Sequence, residues 1–243
     1  MQANYAKLRI QRARQADACL CNVGHDLTSG LLLDLGCGQG YLRHYFLNKH
    51  VKVVGVDVDK ALLKTARNMH NDPLILADAT KLPFREGSFH TVILNDILEH
   101  IPYDRAKGLV SEIRKSLTSS GRVFISVANK YQIREPHTKI PFLTWFPQQT
   151  WNAILRHFEK QATFTYYPYT IRRLKELCTA TCFSYQNYTW FYARNKIIGE
   201  SIADPLVRKM TKLMRMLGLT VGASFLAEKV SVILFICQKE KRK

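Results

Sequence analysis

Asp34, Gly36, Gly38 and Gly40 sit in the run Leu31-Leu32-Leu33-Asp34-Leu35-Gly36-Cys37-Gly38-Gln39-Gly40. Glycines at alternate positions allow a tight turn and leave no Cβ between the backbone and a ligand. Asp57 closes a second apolar run 23 residues after Asp34. A carboxylate at the tip of the second strand of a strand–helix–strand unit can accept both hydroxyl hydrogens of a ribose, and it repels a 2′-phosphate. Asp57 or Asp59 could instead cap a helix that starts near Lys60. Asp78 closes a third short apolar run, residues 73–79. The combined chemistry is that of holding a nucleoside-bearing cofactor. The spacing is G-x-G-x-G, whereas the dinucleotide fingerprint G-x-G-x-x-G would need glycine at Tyr41. A dehydrogenase therefore ranks last. His100 and His137, with Glu99 and Glu135 behind them, are candidate general bases, because imidazole titrates near working pH. A helix-terminal or core role for His100 stands open beside that one.

Positioning these groups requires a particular order of elements. Apolar runs predict strands ending at Leu35, Asp57 and about Ala77, then strands over 89–96 and 121–127. Helical patterns follow over 41–46, from about Lys60 and over 104–117, so strand and helix are expected to alternate five times across residues 30–128. Residues 1–28 read as a helical lead-in ending at Ser29-Gly30. Helix 170–180, strand 182–192 and strand 230–237 complete the pattern.

Residues 129–169 differ in kind, with ten of the 26 aromatics and four of the eight prolines. Aromatics at that density are expected to bury surface, which excludes a linker or a disordered tract. Over about 204–218, Leu206, Val207, Met210, Leu213, Met214 and Leu217 fall on one helical face with basic residues opposite. Such a helix can lie on an anionic membrane or pack against the domain or a second subunit.

The chain has 243 residues and 47% apolar content, enough for one α/β domain with an elaboration. The net charge of +17 calls for an anionic partner: nucleic acid, acidic lipid or a phosphorylated substrate. The N-terminus is polar, so no secretory leader is expected. Glu228 and Lys229 interrupt the most apolar stretch, 217–237, which argues against a membrane span. The six cysteines form no C-x-x-C pair, so zinc and cluster sites are not expected and reduced thiols in a cytoplasm are. Cys37 reads as a small packing residue within the loop.

Asp34 with its three glycines resembles motif I of the class I S-adenosylmethionine-dependent methyltransferases, small-molecule type. The acids at Asp57 and Asp78 and the segment Ile97-Leu98-Glu99-His100-Ile101 follow in that family's order over residues 30–128. The resemblance implies a Rossmann-like doubly wound sheet of seven strands, mostly parallel with the seventh antiparallel. It places the aromatic-rich insertion after strand five and the helical one before the last strand. One methyltransferase domain would span 1–243: lead-in 1–28, cofactor half 30–128, acceptor-binding insertion 129–169 and C-terminal half 170–243.

The resemblance implies S-adenosyl-L-methionine as cofactor, held by Asp34, Gly36, Cys37, Gly38, Gly40, Asp57, Val58, Asp78, Ala79 and Asn95. Asp78 would meet the adenine amine, and the Ala79 amide a ring nitrogen. No metal is implied. Glu135-Pro136-His137 with Pro141-Phe142 and Trp145-Phe146-Pro147 is similar, over about twenty residues, to saccharide and glycolipid methyltransferases. The expected reaction is methyl transfer, at oxygen, to a small or lipid-linked acceptor, in a cytoplasmic protein that could attach peripherally to a membrane. The N-P-P-Y signature is absent at strand four, which reads Leu94-Asn95-Asp96-Ile97. An RNA methyltransferase, supported by charge, and a non-enzymatic cofactor-binding or membrane-associated module remain the alternatives.

Overall fold

Apolar residues on successive strand positions predict strands buried on both faces, and this is the arrangement found. A computed structural model describes residues 2–69, 72–135, 138–158, 166–189, 209, 213, 216 and 232–240. Strands β1 (Leu32–Leu35), β2 (Val53–Asp57), β3 (Leu74–Leu76), β4 (Phe89–Asn95), β5 (Leu117–Val127), β6 (Phe183–Asn187) and β7 (Ile233–Lys239) form one sheet in the order β3-β2-β1-β4-β5-β7-β6. The first five pair in parallel, and β7 lies antiparallel between β5 and β6. This is the Rossmann-like, seven-stranded sheet expected of the sequence.

Side-chain alternation sorts the core into two layers. Leu33, Leu35, Val92, Leu94, Val123 and Ile125 pack against α4 (Tyr103–Ser116) and α6 (Ile171–Ala180). Leu32, Val53, Ile93, Phe124, Leu234 and Ile236 pack on the other face, against α1 (Gln2–Asn22) and α2 (Tyr41–Leu47). Each such fully buried side chain contributes roughly 1.5–3 kcal/mol. Asp34 shares its face with Leu32, so the alternation places a carboxylate in the apolar layer facing α1 and α2.

Several expectations need correction. After α3 (Lys60–Arg67), the chain passes from β3 to β4 without a helix, because Pro83 and Gly87 punctuate a stretch that anchors itself through buried Leu82. Strand β5 begins at Leu117 rather than Gly121, with a register shift opposite Phe89–Thr91. Strand β6 is shorter than expected and ends at Asn187. The basic helix over about 204–218 lies outside the described residues except for Lys209, Leu213 and Met216, which are helical and exposed. Among the described residues, no helix is long and apolar enough to cross a membrane.

The stretch after β5 builds a small core of its own from Ala128, Ile140, Leu143, Trp151, Leu155 and Tyr166, with α5 (Gln148–His157) as its helix. The Asn129–Tyr169 bridge closes it beside the end of β5, and the Arg134–Pro141 bridge lies within it. The expectation that its aromatics are buried holds for Trp151, Tyr166 and Tyr169 but fails for Tyr131, Phe142, Trp145, Phe146 and Phe158, which are 44–51% exposed.

Candidate functional site

The order β2-β1-β4 reverses winding between β1 and β4, and open α/β sheets hold ligands above the carboxyl ends of strands at such a point. The glycine loop lies there. The Gly36 and Cys37 amides both donate to the Val56 carbonyl, at 2.8 and 3.0 Å, and so extend the β1–β2 ladder into the turn. Gly36 has φ 72°, and a Cβ there would stand 2.0 Å from Ile97 Cδ1. Gly38 has φ 52°, but a Cβ there would meet only the Tyr5 hydroxyl of α1, at 3.8 Å. Packing requires the first glycine, while the second faces open space. Gly36→Ala is therefore expected to cost roughly 2–5 kcal/mol in urea unfolding, and Gly38→Ala only about 1–2. Equal losses would contradict this assignment of the two positions.

Asp57 is tied to that loop. One carboxylate oxygen accepts the Gly38 N–H at 2.7 Å and the other the Asp59 N–H at 2.9 Å. The capping role belongs to Asp59, which accepts from the Ala61 and Leu62 amides at the start of α3. Val58 projects beside them and is 74% exposed. Asp78, at the turn after β3, accepts from both the amide and the hydroxyl of Thr80, and these bonds hold its carboxyl below the usual range. Ala79 follows, half-buried. Cys37 is buried against Gly55, and burial pushes its thiol far up, as a packing residue requires.

Asp34 is 1% exposed, with both oxygens sealed from solvent and without a well-formed hydrogen bond. Burial pushes its carboxyl up to about 6, against the pull of the Arg9 and Arg43 guanidiniums. Next to it, β4 ends in Asn95, whose side-chain oxygen is also buried and without a partner. Asp96 then turns left-handed, φ 55°, and collects four neighbours. Ser126 Oγ donates to it at 2.9 Å and Asn95 Nδ2 at 3.4 Å, while Arg12 Nε lies 3.3 Å and Arg9 Nη1 3.8 Å away. Arg9 and Arg12, one helical turn apart on α1, thereby roof the ends of β4 and β5.

Glu99 sits one turn further on, 3% exposed in the short 3-10 helix Leu98–His100. One carboxylate oxygen accepts the Ala128 amide at 3.3 Å, and the other is buried without a partner. Burial first, then the neighbouring Asp96 charge, drives its carboxyl well above the ordinary glutamate range. Tyr166, fully buried, packs nearby and takes a hydrogen bond from Gln132 Nε2 at 3.4 Å. His100 is exposed, its ring edge-on to Tyr166 at 6.0 Å between centroids. His137 lies outside the described residues. The structure thus brings Asp34, the glycines, Asp57, Asn95 and Glu99 to one end of the sheet. Arg9, Arg12, Asp96, Gln132 and Tyr166 were not singled out as site residues from the sequence. The signal available was the i, i+3 spacing of the two arginines on a helix that must lie across the strand tips.

Buried oxygens on Asp34, Gln39, Asn95 and Glu99 lack partners, whereas most buried polar atoms in folded proteins have one. They lie in the glycine loop and at the strand ends beside it, where a Cβ at Gly36 would clash with Ile97 and Asp57 binds the Gly38 amide. That donor-seeking set fits a ligand carrying an amine and ribose hydroxyls, as S-adenosylmethionine does. Among the described residues, no cluster of His, Cys, Asp and Glu could hold a metal ion.

Comparison with known proteins points the same way. Residues 33–125 match the family model described as a methyltransferase domain. An uncharacterized protein of Methanocaldococcus jannaschii is 35% identical over 100 residues, covering 41% of each chain. The ubiquinone biosynthesis O-methyltransferase of Idiomarina loihiensis is 31% identical over 105 residues, 41% of this chain and 42% of that one. The matches thus span about two-fifths of these curated relatives. A S-adenosylmethionine-dependent methyltransferase structure from Archaeoglobus fulgidus superposes with a TM-score of 0.58 at 15% identity, over 93% of this chain and 94% of that one, which shows the shared fold.

Proposed function

We propose that this chain, whose residues 33–125 match a methyltransferase domain model, is an S-adenosylmethionine-dependent methyltransferase that transfers a methyl group to oxygen on a small or lipid-linked acceptor. The observation that carries this reading is the set of buried oxygens without well-formed hydrogen bonds on Asp34, Gln39, Asn95 and Glu99, in the loop and strand ends at the carboxyl side of the sheet. The cofactor supplies an electrophilic methyl group; the protein supplies position and a water-poor site. Asp57 accepts the ribose hydroxyls while its Gly38 bond keeps the loop closed. Gly36, Gly38 and Gly40 let the backbone approach, with Cys37 as filler. Val58 covers one side of the base, and Asp78 and the Ala79 amide read its edge. Asp34 and Asn95 take the amine end, beneath Arg9 and Arg12.

The acceptor enters between this site and the 129–169 insertion, over Glu99, Tyr166 and Gln132. Glu99 has a buried oxygen without a hydrogen-bond partner and a carboxyl raised by burial, so it can take the acceptor hydroxyl's proton as oxygen is alkylated. His100, exposed at the rim, is the second candidate for that proton, and His137 is retained from the sequence as a third. The similarity to a ubiquinone biosynthesis O-methyltransferase supports oxygen as the methylated atom.

Titration calorimetry with S-adenosylhomocysteine tests the cofactor half. Asp57→Ala is expected to weaken that binding by about 1–3 kcal/mol, or roughly five- to 150-fold, because both the ribose bonds and the Gly38 tether disappear. Unchanged affinity would reject the role given to Asp57. Incubation with a labelled methyl donor and a panel of phenolic, saccharide and prenylated acceptors tests the other half. Label entering RNA instead would move the acceptor to nucleic acid.

A further inference from the structure

The exposed aromatics after β5 are not part of the site described above. Phe142 has φ 58° and begins the one-turn helix Leu143–Trp145. Its ring meets Trp145 edge-on at 5.2 Å, and Trp145 meets Tyr131 edge-on at 6.0 Å. Phe146 follows, 51% exposed. The segment's own core is complete without these four rings.

The knuckle is also held in place. The Phe142 amide donates to the Ile133 carbonyl at 2.6 Å, Thr144 Oγ1 to the Lys130 carbonyl at 2.7 Å, and Trp145 Nε1 to the Gln132 carbonyl at 3.1 Å. These bonds fix the backbone that presents the rings, so their exposure is built in. Gln132, which supports Tyr166 beside Glu99, also accepts from the Trp145 indole, so the knuckle forms the lip of the acceptor entrance.

Charge selects the partner. Residues 129–158 contain Lys130, Arg134, Lys139 and Arg156, and their single acid is Glu135. Glu135 is fully buried, while Arg134, Lys139 and Arg156 are exposed. The outward face is therefore aromatic and cationic. Aromatic rings with flanking Lys and Arg suit the headgroup zone of a bilayer, where ring faces enter the acyl boundary and cations meet anionic lipid. A second copy would bring like charges together on a self-complementary face. Single-stranded RNA is anionic too and stacks its bases on aromatic side chains along a basic groove, so its binding is a separate outcome of the test below.

We infer that the Tyr131–Phe142–Trp145–Phe146 knuckle seats the protein on an anionic lipid bilayer, with the acceptor entrance against the membrane surface. The full chain is mixed with phosphatidylcholine vesicles with and without phosphatidylglycerol and sedimented. Wild type is expected to sediment with the anionic vesicles. Phe142→Ser with Trp145→Ser and Phe146→Ser should bind them roughly tenfold more weakly or worse, while still binding S-adenosylhomocysteine as wild type does, which reports intact folding and is separate from the membrane readout. Lys139→Glu should weaken binding most at low salt. Brominated acyl chains should quench wild-type tryptophan fluorescence more than that of Trp145→Phe.

Wild type that stays in the supernatant overturns the inference. So does sedimentation that survives the serine replacements but is lost in Lys209→Glu with Lys212→Glu. Tighter binding to a structured RNA than to vesicles, or self-association that the serine replacements abolish, also overturns it and assigns the knuckle to that partner.

Discussion

Asp34→Asn is expected to make the protein more stable at pH 7 while it loses affinity for S-adenosylhomocysteine. Asp34 lies in the apolar layer beneath α1 and α2 without a well-formed hydrogen bond, and burial has pushed its carboxyl from the ordinary 3.8 up to about 6. A carboxyl whose folded pKa is raised holds its proton longer in the folded state. The folded protein therefore loses stability as pH rises from the ordinary value through the raised one. Above that window the full penalty is on the order of 3 kcal/mol. An asparagine removes it but leaves a buried amide, which returns part of the cost. A net gain of about 1–2 kcal/mol is expected at pH 7–8, disappearing below about pH 4, where the carboxyl is protonated in both states. In exchange, the charged acceptor for the cofactor's amine is gone, and binding should fall tenfold or more. Urea unfolding at the two pH values, with calorimetry beside it, provides the check. A variant less stable than wild type at neutral pH would mean that Arg9 and Arg43 fully compensate the charge.

Glu99→Gln should lower turnover by about 10²–10⁴, the usual range for a positioned proton acceptor, with S-adenosylhomocysteine affinity kept. The pH profile separates this from a structural loss. A base acts when deprotonated, and burial with the nearby Asp96 has raised this carboxyl. Wild-type turnover should therefore climb through an ionisation well above the ordinary glutamate range, and that limb should vanish in the glutamine variant. Removing the ionisation should also stabilise the variant relative to wild type at alkaline pH and not at pH 4, since a raised carboxyl costs stability only once pH exceeds its ordinary value. His100→Ala is the contrast. If it removes the limb and Glu99→Gln does not, the histidine carries the proton and Glu99 is a packing acid.

Most of the sheet could be read from the sequence because parallel strands within a sheet leave continuous apolar runs, and β1 to β4 each run into a glycine turn or an acid. The glycine loop, Asp57 and Asp78 could be singled out for the same reason: as candidates they depend on local order along the chain. The β3–β4 connection was misjudged, since a loop anchored by one buried leucine and a helix start from similar sequence. The aromatic insertion was misread because density of aromatics says nothing about which rings find a core. Trp151 and Tyr166 did, while the Phe142 amide and the Trp145 indole donate to backbone carbonyls nine and thirteen positions away and leave both rings partly exposed. Glu99 was named only as support for a histidine, because whether a carboxylate points into a protein or out of it is set by the turn it occupies.

By itself, the sequence determined the alternation of strands and helices and a loop with acids suited to a nucleoside-bearing cofactor, which follow from periodicity and short-range spacing; the seven-stranded topology and the choice of S-adenosylmethionine came from the family resemblance that those motifs carry. Only the tertiary structure decided which polar atoms are stranded without partners, which basic residues roof the strand tips, and which aromatics face outward. Arg9 and Asp96 lie far apart in sequence and 3.8 Å apart in space. Asp34 is an ordinary strand residue until α1 and α2 close over it. Burial and long-range juxtaposition are properties of the packed chain, and the chemistry proposed for this site depends on both.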